Sequence, residues 1–122
     1  MSKGEFAEVS NPRVVPFPGR ADAPQVTFNR DELREILNLY GRMVAQGEWR
    51  DYAIAFTREK AVFSIHRRSS EMPLYRVEKD PKLARRQGAY AVVAATGLVM
   101  KRGHDLARVL KVLEKPLRVV SG

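Results

Sequence analysis

The sequence predicts an α+β fold, in which a small antiparallel sheet of about four to six strands packs against two amphipathic helices. From residue 25 onward, apolar residues recur every three or four positions at the two ends of the region, as on one face of a helix. Between those ends they alternate with polar or small residues, as in half-buried strands. Short connections containing glycine, proline or charged residues separate the alternating segments, which favours an antiparallel meander.

The first helix is predicted to begin after Asn29 and to end at Gly47. Asn29 can cap the free amide groups of the first turn, and Glu32 at the third helical position can reach back to the cap. Gly47 is a natural helix stop. The apolar stripe of this helix comprises Leu33, Ile36, Leu37, Tyr40, Met43 and Val44. The preceding segment, residues 25–28, is short and β-prone.

We expect Trp49 in the core. After it, apolar residues recur at every second position, as in a strand. Residues 52–56 and 62–65 are predicted to form a hairpin around a tight polar connection at residues 58–60. Residues 74–77 add a third strand. These three strands predict a small meander.

Beyond residue 80 the sequence predicts two more strands and the second helix. Asp80 and Pro81 are typical of a helix start and Gly88 of a stop, so that residues 82–87 form a short basic turn of helix. The remaining elements are a buried strand at residues 89–95, a strand at residues 98–100, and an amphipathic helix that carries Leu106, Val109, Leu110 and Leu113 and ends before Pro116.

Residues 1–24 are predicted to form a flexible, proline-containing N-terminal arm, and residues 25–122 a single α+β domain. Four of the seven prolines lie in this arm, and proline removes a backbone donor and restricts φ. Residues 14–18, Val-Val-Pro-Phe-Pro, have two interpretations: an extended motif that docks on a partner, or a tail with a few apolar residues.

The composition excludes several classes of site. Because the chain has no cysteine, it can form no disulfide, thiolate zinc site, iron–sulfur cluster or cysteine nucleophile. The N-terminus lacks the pattern of a secretory signal, and no apolar run approaches the roughly 18 residues that cross a bilayer. These observations predict a cytoplasmic protein that is not inserted in a membrane.

The positive charge lies past the first helix. Residues 49–122 carry 16 Lys and Arg against 7 Asp and Glu, whereas residues 1–48 carry 6 against 7, and the net charge is +8. Clustered cations add their potentials, which favours a polyanionic partner. The candidate anion-binding residues form three clusters: Arg67 and Arg68; Lys82, Arg85 and Arg86; and Lys101 and Arg102 with His104. Whether the three clusters meet in space is left open by the sequence.

The leading functional hypothesis is a non-catalytic binding module whose basic face contacts nucleic acid, RNA or DNA, or a ribonucleoprotein through phosphate groups. Tyr75 and Tyr90 have two interpretations: rings that stack on bases, or rings packed in the core. Residues 103–105 also have two interpretations. They form either an anion-binding helix start or an ordinary strand-to-helix turn with a capping residue.

Two other function classes remain open. One is a protein–protein interaction or homodimerisation module built on the edge of the sheet and the apolar helices, or one that binds an acidic protein. The other is an enzyme acting on an anionic small molecule, with His104 as acid and base. We predict no catalytic residues, metal or cofactor, because His66 and His104 lie far apart without ligand-like spacing and no phosphate-binding glycine-rich loop is present.

Four stretches of the sequence resemble a family of short basic proteins of unknown function from alphaproteobacteria. They are residues 26–33 (VTFNRDEL), 47–52 (GEWRDY), 73–79 (PLYRVEK) and the region from 87–90 (QGAY) to 101–106 (KRGHDL). The resemblance covers about residues 25–115. It implies no activity, because no activity is agreed for the family. The order of one helix, three strands and a final helix near Lys101 is also similar to the double-stranded-RNA-binding domain, which grips phosphates with cations at its last helix. Here about 20 additional residues separate the third strand from that helix.

Overall fold

One antiparallel sheet and two helices make up the fold, which confirms the predicted α+β class. The structure is a computed structural model that describes residues 24–68 and 72–114. The elements in chain order are the helix α1 (Arg30–Ala45), the strands β1 (Asp51–Phe56), β2 (Ala61–His66), β3 (Tyr75–Lys79), β4 (Tyr90–Ala94) and β5 (Val99–Gly103), and the helix α2 (Leu106–Leu110). Except for residue 24, the predicted N-terminal arm lies outside the described residues, as does Pro116.

The start of α1 is held by the predicted capping box. The Asn29 side chain accepts a hydrogen bond from the Glu32 amide at 2.8 Å, and the Glu32 carboxylate accepts one from the Asn29 amide at 2.8 Å. The helix ends at a C-cap Gln46, followed by Gly47 with φ 79°. The β-prone segment 25–28 is not a strand in the structure. The Val26 amide donates a hydrogen bond to the Thr57 carbonyl at 2.8 Å, and the segment then leads directly into the helix cap.

The strands pair in sequence order, from β1 at one edge to β5 at the other. The register aligns Ile54 with Phe63, Phe63 with Val77, and Val77 with Val92. Phe63, Val77 and Val92 are fully buried. Because side chains alternate between the two faces of a strand, this row defines the face that packs against the helices. The predicted hairpin and meander are therefore confirmed.

The bounds of three elements differ from the prediction. The strand predicted at residues 98–100 is β5, which continues through Lys101 and Arg102; an edge strand can carry long polar side chains because one of its sides is open to water. The helix predicted at residues 82–87 is a short 3-10 turn, Pro81–Leu83, capped by Asp80 as expected. The predicted second helix divides into α2 and a 3-10 turn, Lys111–Leu113.

Both helices cover the same face of the sheet. α1 buries Ile36, Leu39 and Met43, and the core also contains Trp49, as predicted. The buried residues of α2 and of the following 3-10 turn are Leu106, Val109, Leu110 and Leu113. α2 packs on β4 and β5, so that the two helices lie side by side over one continuous apolar layer.

Gly88 lies where the β3–β4 connection passes against the end of β5. A Cβ atom at Gly88 would lie 2.2 Å from the backbone carbon and oxygen of Gly103, and the φ of Gly88 is 111°. Both the space and the backbone angle require glycine. At Gly88 the backbone of the β3–β4 connection therefore lies in contact with the last residue of β5.

Replacing Gly88 with alanine should lower the free energy of unfolding by about 3 kcal/mol, because the new methyl group adds a backbone clash to an unfavourable φ. Urea unfolding followed by circular dichroism would measure the loss. Gly97→Ala is the matched control, since Gly97 also has a positive φ, 95°, but open space around it. It should cost only about 1 kcal/mol. Equal losses in the two variants would contradict a role for the contact with Gly103.

Candidate functional site

Two of the three predicted cationic clusters lie at the same end of the sheet. Lys82, Arg85 and Arg86 lie in the connection from β3 to β4. Lys101 and Arg102 are the third and fourth of the five residues of β5. The first residue of β4, Tyr90, pairs with the last residue of β5, Gly103. The connection and the end of β5 are therefore neighbours, and the Arg102 guanidinium donates a hydrogen bond to the Gly88 carbonyl at 3.5 Å.

The third cluster lies at the opposite end of the sheet. Arg67 and Arg68 follow the last residue of β2, whereas the β3–β4 connection lies beside the first residue of β2, Ala61, which pairs with Lys79. Five to six residues of strand correspond to roughly 17–20 Å between the two ends. Arg67 also lies 3.8 Å from the Glu48 carboxylate. The structure thus brings two clusters together and leaves Arg67 and Arg68 apart from them.

Arg58, in the turn between β1 and β2, is a cation at this end that the sequence analysis did not select. The turn is joined to the β3–β4 connection by an ion pair of 3.2 Å between Glu59 and Lys82. The predicted hairpin already indicated that Arg58 lies at one end of the sheet, because its turn must lie there. The end to which this turn belongs became clear only from the order and direction of all five strands.

We call this region the basic end and define it by Arg58, Lys82, Arg85, Arg86, Lys101 and Arg102. Within the described parts of the chain, no ion pair or hydrogen bond engages the side chains of Arg58, Arg85, Arg86 or Lys101, and all four residues are exposed. Their charges are therefore available to an external anion.

Other cations near this end are committed to buried carboxylates. Glu78 is buried on the face of the sheet opposite the helices, where it receives hydrogen bonds from Lys60 and Arg76, both at 3.1 Å. Lys79 lies 2.8 Å from Glu32. Glu78 is thus a buried partner of Arg76 on its own strand and of Lys60 just before β2, and Glu32 of α1 is a buried partner of Lys79 on β3.

The short helix starts at this end are capped by acidic side chains. Asp105 accepts a hydrogen bond from the Ala107 amide at 3.0 Å, and Asp80 accepts one from the Lys82 amide at 3.1 Å. Each carboxylate occupies the position that an anionic ligand of the helix start would need. Residues 103–105 therefore form a capped strand-to-helix turn. His104 is exposed beside it.

Neither Tyr75 nor Tyr90 offers its ring for stacking on bases. Tyr75 lies on the helix-covered face, with its ring centroid 6.4 Å from that of Trp49. Tyr90 lies on the same face, and its hydroxyl donates a hydrogen bond to the Glu32 carboxylate. Of their two interpretations, the structure supports packing in the core for both.

Glu32 joins α1 to two strands of the sheet. One oxygen, Oε1, accepts hydrogen bonds from the Asn29 amide and from Lys79 Nζ, each at 2.8 Å, and Oε2 accepts the hydroxyl of Tyr90. Lys79 also donates to the Thr27 carbonyl at 2.9 Å. The first turn of α1 is thereby attached to the end of β3 and the start of β4.

The pKa values show which protonation states this cluster maintains. Burial opposes ionisation of Glu32, but the hydrogen bonds from Lys79, Tyr90 and Asn29 outweigh it and hold the pKa of Glu32 below its ordinary value of 4.5. Burial and the Glu32 carboxylate raise the pKa of Tyr90 to about 12. At neutral pH the carboxylate is therefore ionised and the phenol protonated, which suits a structural hydrogen bond and does not suit a general acid at Glu32.

Replacing Glu32 with glutamine should lower the free energy of unfolding at pH 7 by about 2 kcal/mol, because Lys79 loses its buried counter-charge. The depressed pKa also makes the native stability pH-dependent. The contribution of Glu32 is complete above its unfolded pKa, near 4.5, and is lost as the pH falls through the lower folded value. Urea unfolding from pH 7 to pH 3 should show a smaller acid destabilisation in Glu32→Gln than in the native chain, with the remainder due to Glu78, whose pKa is also lowered. Identical acid losses would contradict this role for Glu32.

Residues 24–68 and 72–114 contain neither a metal-binding cluster nor a membrane-spanning helix. This part of the chain brings together no group of three or more His, Asp or Glu side chains that could hold a metal ion. It also contains no helix of the length and apolarity that cross a membrane.

Comparison with known proteins identifies the family of this chain but no activity. No curated protein and no solved structure matches the sequence. A family model described as a protein of unknown function, DUF2794, matches residues 26–110. That match covers more than half of the chain and includes α1, the whole sheet and α2. The chain therefore belongs to the DUF2794 family of proteins of unknown function.

Proposed function

We propose that this protein is a non-catalytic binding module whose basic end contacts the phosphate backbone of nucleic acid. The observation that carries the proposal is the meeting of two cationic clusters at one end of the sheet, where Arg58 adds a further cation. Four of these side chains have no partner within the described part of the chain. Arg67 and Arg68 lie outside the proposed surface.

The shape of the basic end suits a long polyanion. It extends from the β1–β2 turn to the end of β5, which are separated by four strand spacings, or roughly 19 Å. A nucleic-acid duplex carries about one negative charge per 1.7 Å of its axis, so that a surface of this width meets several phosphates at once. Release of counterions from those phosphates supplies binding free energy without any reading of sequence.

The inward orientation of the Tyr75 and Tyr90 rings supports a particular binding mode. Since Tyr75 and Tyr90 pack toward the helices, they are not available to stack on unpaired bases. Phosphate contacts alone favour a duplex, where the charge density is high, over a flexible single strand. We therefore expect similar affinity for duplex DNA and for an RNA hairpin, weaker binding to single strands, and little dependence on sequence.

A non-catalytic role is also supported by the two carboxylates whose pKa values are shifted. Glu32 and Glu78 both have lowered pKa values, because each is hydrogen-bonded to cations that outweigh the effect of burial. A general acid at neutral pH requires the opposite shift. These groups therefore stabilise the fold in their ionised state.

The double substitution Arg85→Gln/Arg86→Gln should weaken binding to duplex DNA and to an RNA hairpin by about 10-fold or more, because it removes two unpaired cations from the basic end. Fluorescence anisotropy across a salt series would measure the change. For the native chain, four phosphate contacts predict a slope of about −4 in a plot of log affinity against log salt concentration. The variant should reduce the magnitude of that slope by about 2.

The matched control is Arg67→Gln/Arg68→Gln, which removes the same two charges from the opposite end of the sheet. It should change the affinity by less than about 3-fold. Equal losses in the two variants would show that net charge, and not the basic end, determines binding. Failure of the native chain to bind any of these nucleic acids at low salt would overturn the proposed function.

A further inference from the structure

An apolar surface lies along the β1 edge of the sheet and the side of α1 above it. We call it the α1–β1 flank and define it by Leu37, Tyr40, Val44, Tyr52 and Ile54. Leu37, Val44 and Tyr52 are large apolar or aromatic residues with exposures of 38%, 41% and 42%. The rings of Tyr40 and Tyr52 lie 5.0 Å apart in an edge-to-face arrangement, which joins the helix side to the strand.

The other side of α1 is already occupied by α2. An ion pair of 2.8 Å connects Arg42 with Glu114, just after the 3-10 turn that follows α2. α2 itself lies over β4 and β5, at the far edge of the sheet. In the described part of the chain, no helix or strand lies beyond the α1–β1 flank.

The two edges of the sheet differ in how they are protected from pairing. β5 contains a register irregularity opposite Val92 and Val93, and carries Lys101 and Arg102. Bulges and long cations are the usual means by which an edge strand resists another strand. β1 has six residues in regular register with β2 and contains no proline, lysine or bulge. Its outer edge is suited to accept a further strand.

Gly41 gives an independent indication that another helix approaches α1. This residue is exposed in the middle of the helix, and its place between Leu37 and Val44 puts it beside the exposed apolar stripe. A Cβ atom there would meet nothing within 4 Å, so the packing of this chain does not require glycine. Glycine weakens a helix interior. Its small size does permit a second backbone to come close.

We propose that the α1–β1 flank is a homodimer interface in which β1 pairs antiparallel with β1 of a second copy. A two-fold axis perpendicular to the sheet joins the two five-stranded sheets into one and places the two α1 helices side by side. Pairing centred on Ala53 sets Tyr52 opposite Ile54 of the second copy. Since these residues lie on the same face as the helices, the register keeps apolar side chains together.

The charge distribution favours a second copy as the occupant. A chain with a net charge of +8 repels its own copies unless they meet where cations are absent. The five residues of the flank are uncharged, and four exposed cations without a partner in the described part of the chain, Arg58, Arg85, Arg86 and Lys101, lie at the basic end. The two-fold axis also directs the two basic ends in opposite directions. The dimer is therefore compatible with the proposed function but does not depend on it.

The test compares two double substitutions of matched chemistry in the full chain. Leu37→Glu/Val44→Glu lies within the flank. Leu98→Glu/Val99→Glu replaces the same residue types at the last residue of the β4–β5 turn and the first residue of β5, with exposures of 65% and 45%. Sedimentation equilibrium should give the native chain and the control twice the monomer mass of 13.8 kDa. The flank variant should sediment as a monomer, with a dimer dissociation constant raised at least about 100-fold.

A cross-link tests the register without weakening the interface. Because the chain has no cysteine, Ala53→Cys introduces a single thiol, which the two-fold axis places opposite its own copy. Directly opposed Cβ atoms in a sheet are about 5 Å apart, near the range that a disulfide bridges. Mild oxidation should therefore produce a covalent dimer from Ala53→Cys and none from Ala95→Cys, which is exposed in the turn between β4 and β5, far from β1 in the strand order.

Circular dichroism of each variant should match that of the native chain, since all the substituted side chains are exposed. A native chain that remains monomeric at high concentration would overturn the proposal, whether another segment of the chain or a different protein covers the flank. Dissociation by both double substitutions alike would also overturn it. Loss of the dimer with retained DNA binding, or the reverse, would separate this proposal from the proposed function.

Discussion

The buried carboxylate of Glu32 is the contact that positions the other elements at one end of this molecule. It caps its own helix through Asn29 and binds Lys79 and Tyr90, so that one side chain joins α1, β3 and β4. A carboxylate removed from water must have such partners, because an unpaired buried charge is strongly unfavourable. The start of α1, the end of β3 and the start of β4 are thereby held in one arrangement. The β3–β4 connection, which carries part of the basic end, begins immediately beyond Lys79.

Buried carboxylates also divide the cations into two groups. Lys60, Arg76 and Lys79 are bound to Glu78 or Glu32 and stabilise the sheet. Arg85 and Arg86 face water in the β3–β4 connection. A count of charges treats both groups alike, but only the second can exchange its counterions for a phosphate backbone. The ability of a cation to bind phosphate therefore depends on its position and on whether a carboxylate already binds it, more than on the net charge of the chain.

A sheet covered on one face by one long helix and one short helix leaves part of its apolar surface without a partner in the described chain. α2 covers β4 and β5, and the core-facing side of α1 covers the middle of the sheet, as the burial of Phe63 and Val77 shows. Within residues 24–68 and 72–114, no further element covers the side of α1 above β1, although that side carries leucine, tyrosine and valine. Exposed apolar surface next to an open strand edge is typical of an interface. The two helices are thus sufficient to form the core, but they leave uncovered the surface that we propose as the dimer interface.

The sequence by itself determined the features that depend on neighbours a few residues apart. The capping box of Asn29 and Glu32, the hairpin of β1 and β2, and the burial of Trp49 all follow from local spacing and alternation. Only the tertiary structure decided which distant residues meet. Glu32 and Tyr90 are separated by 58 positions, and the division of the cationic clusters between two ends of the sheet depends on the number and direction of all five strands. Local patterns specify elements, whereas sites arise from contacts across many residues, which periodicity does not encode.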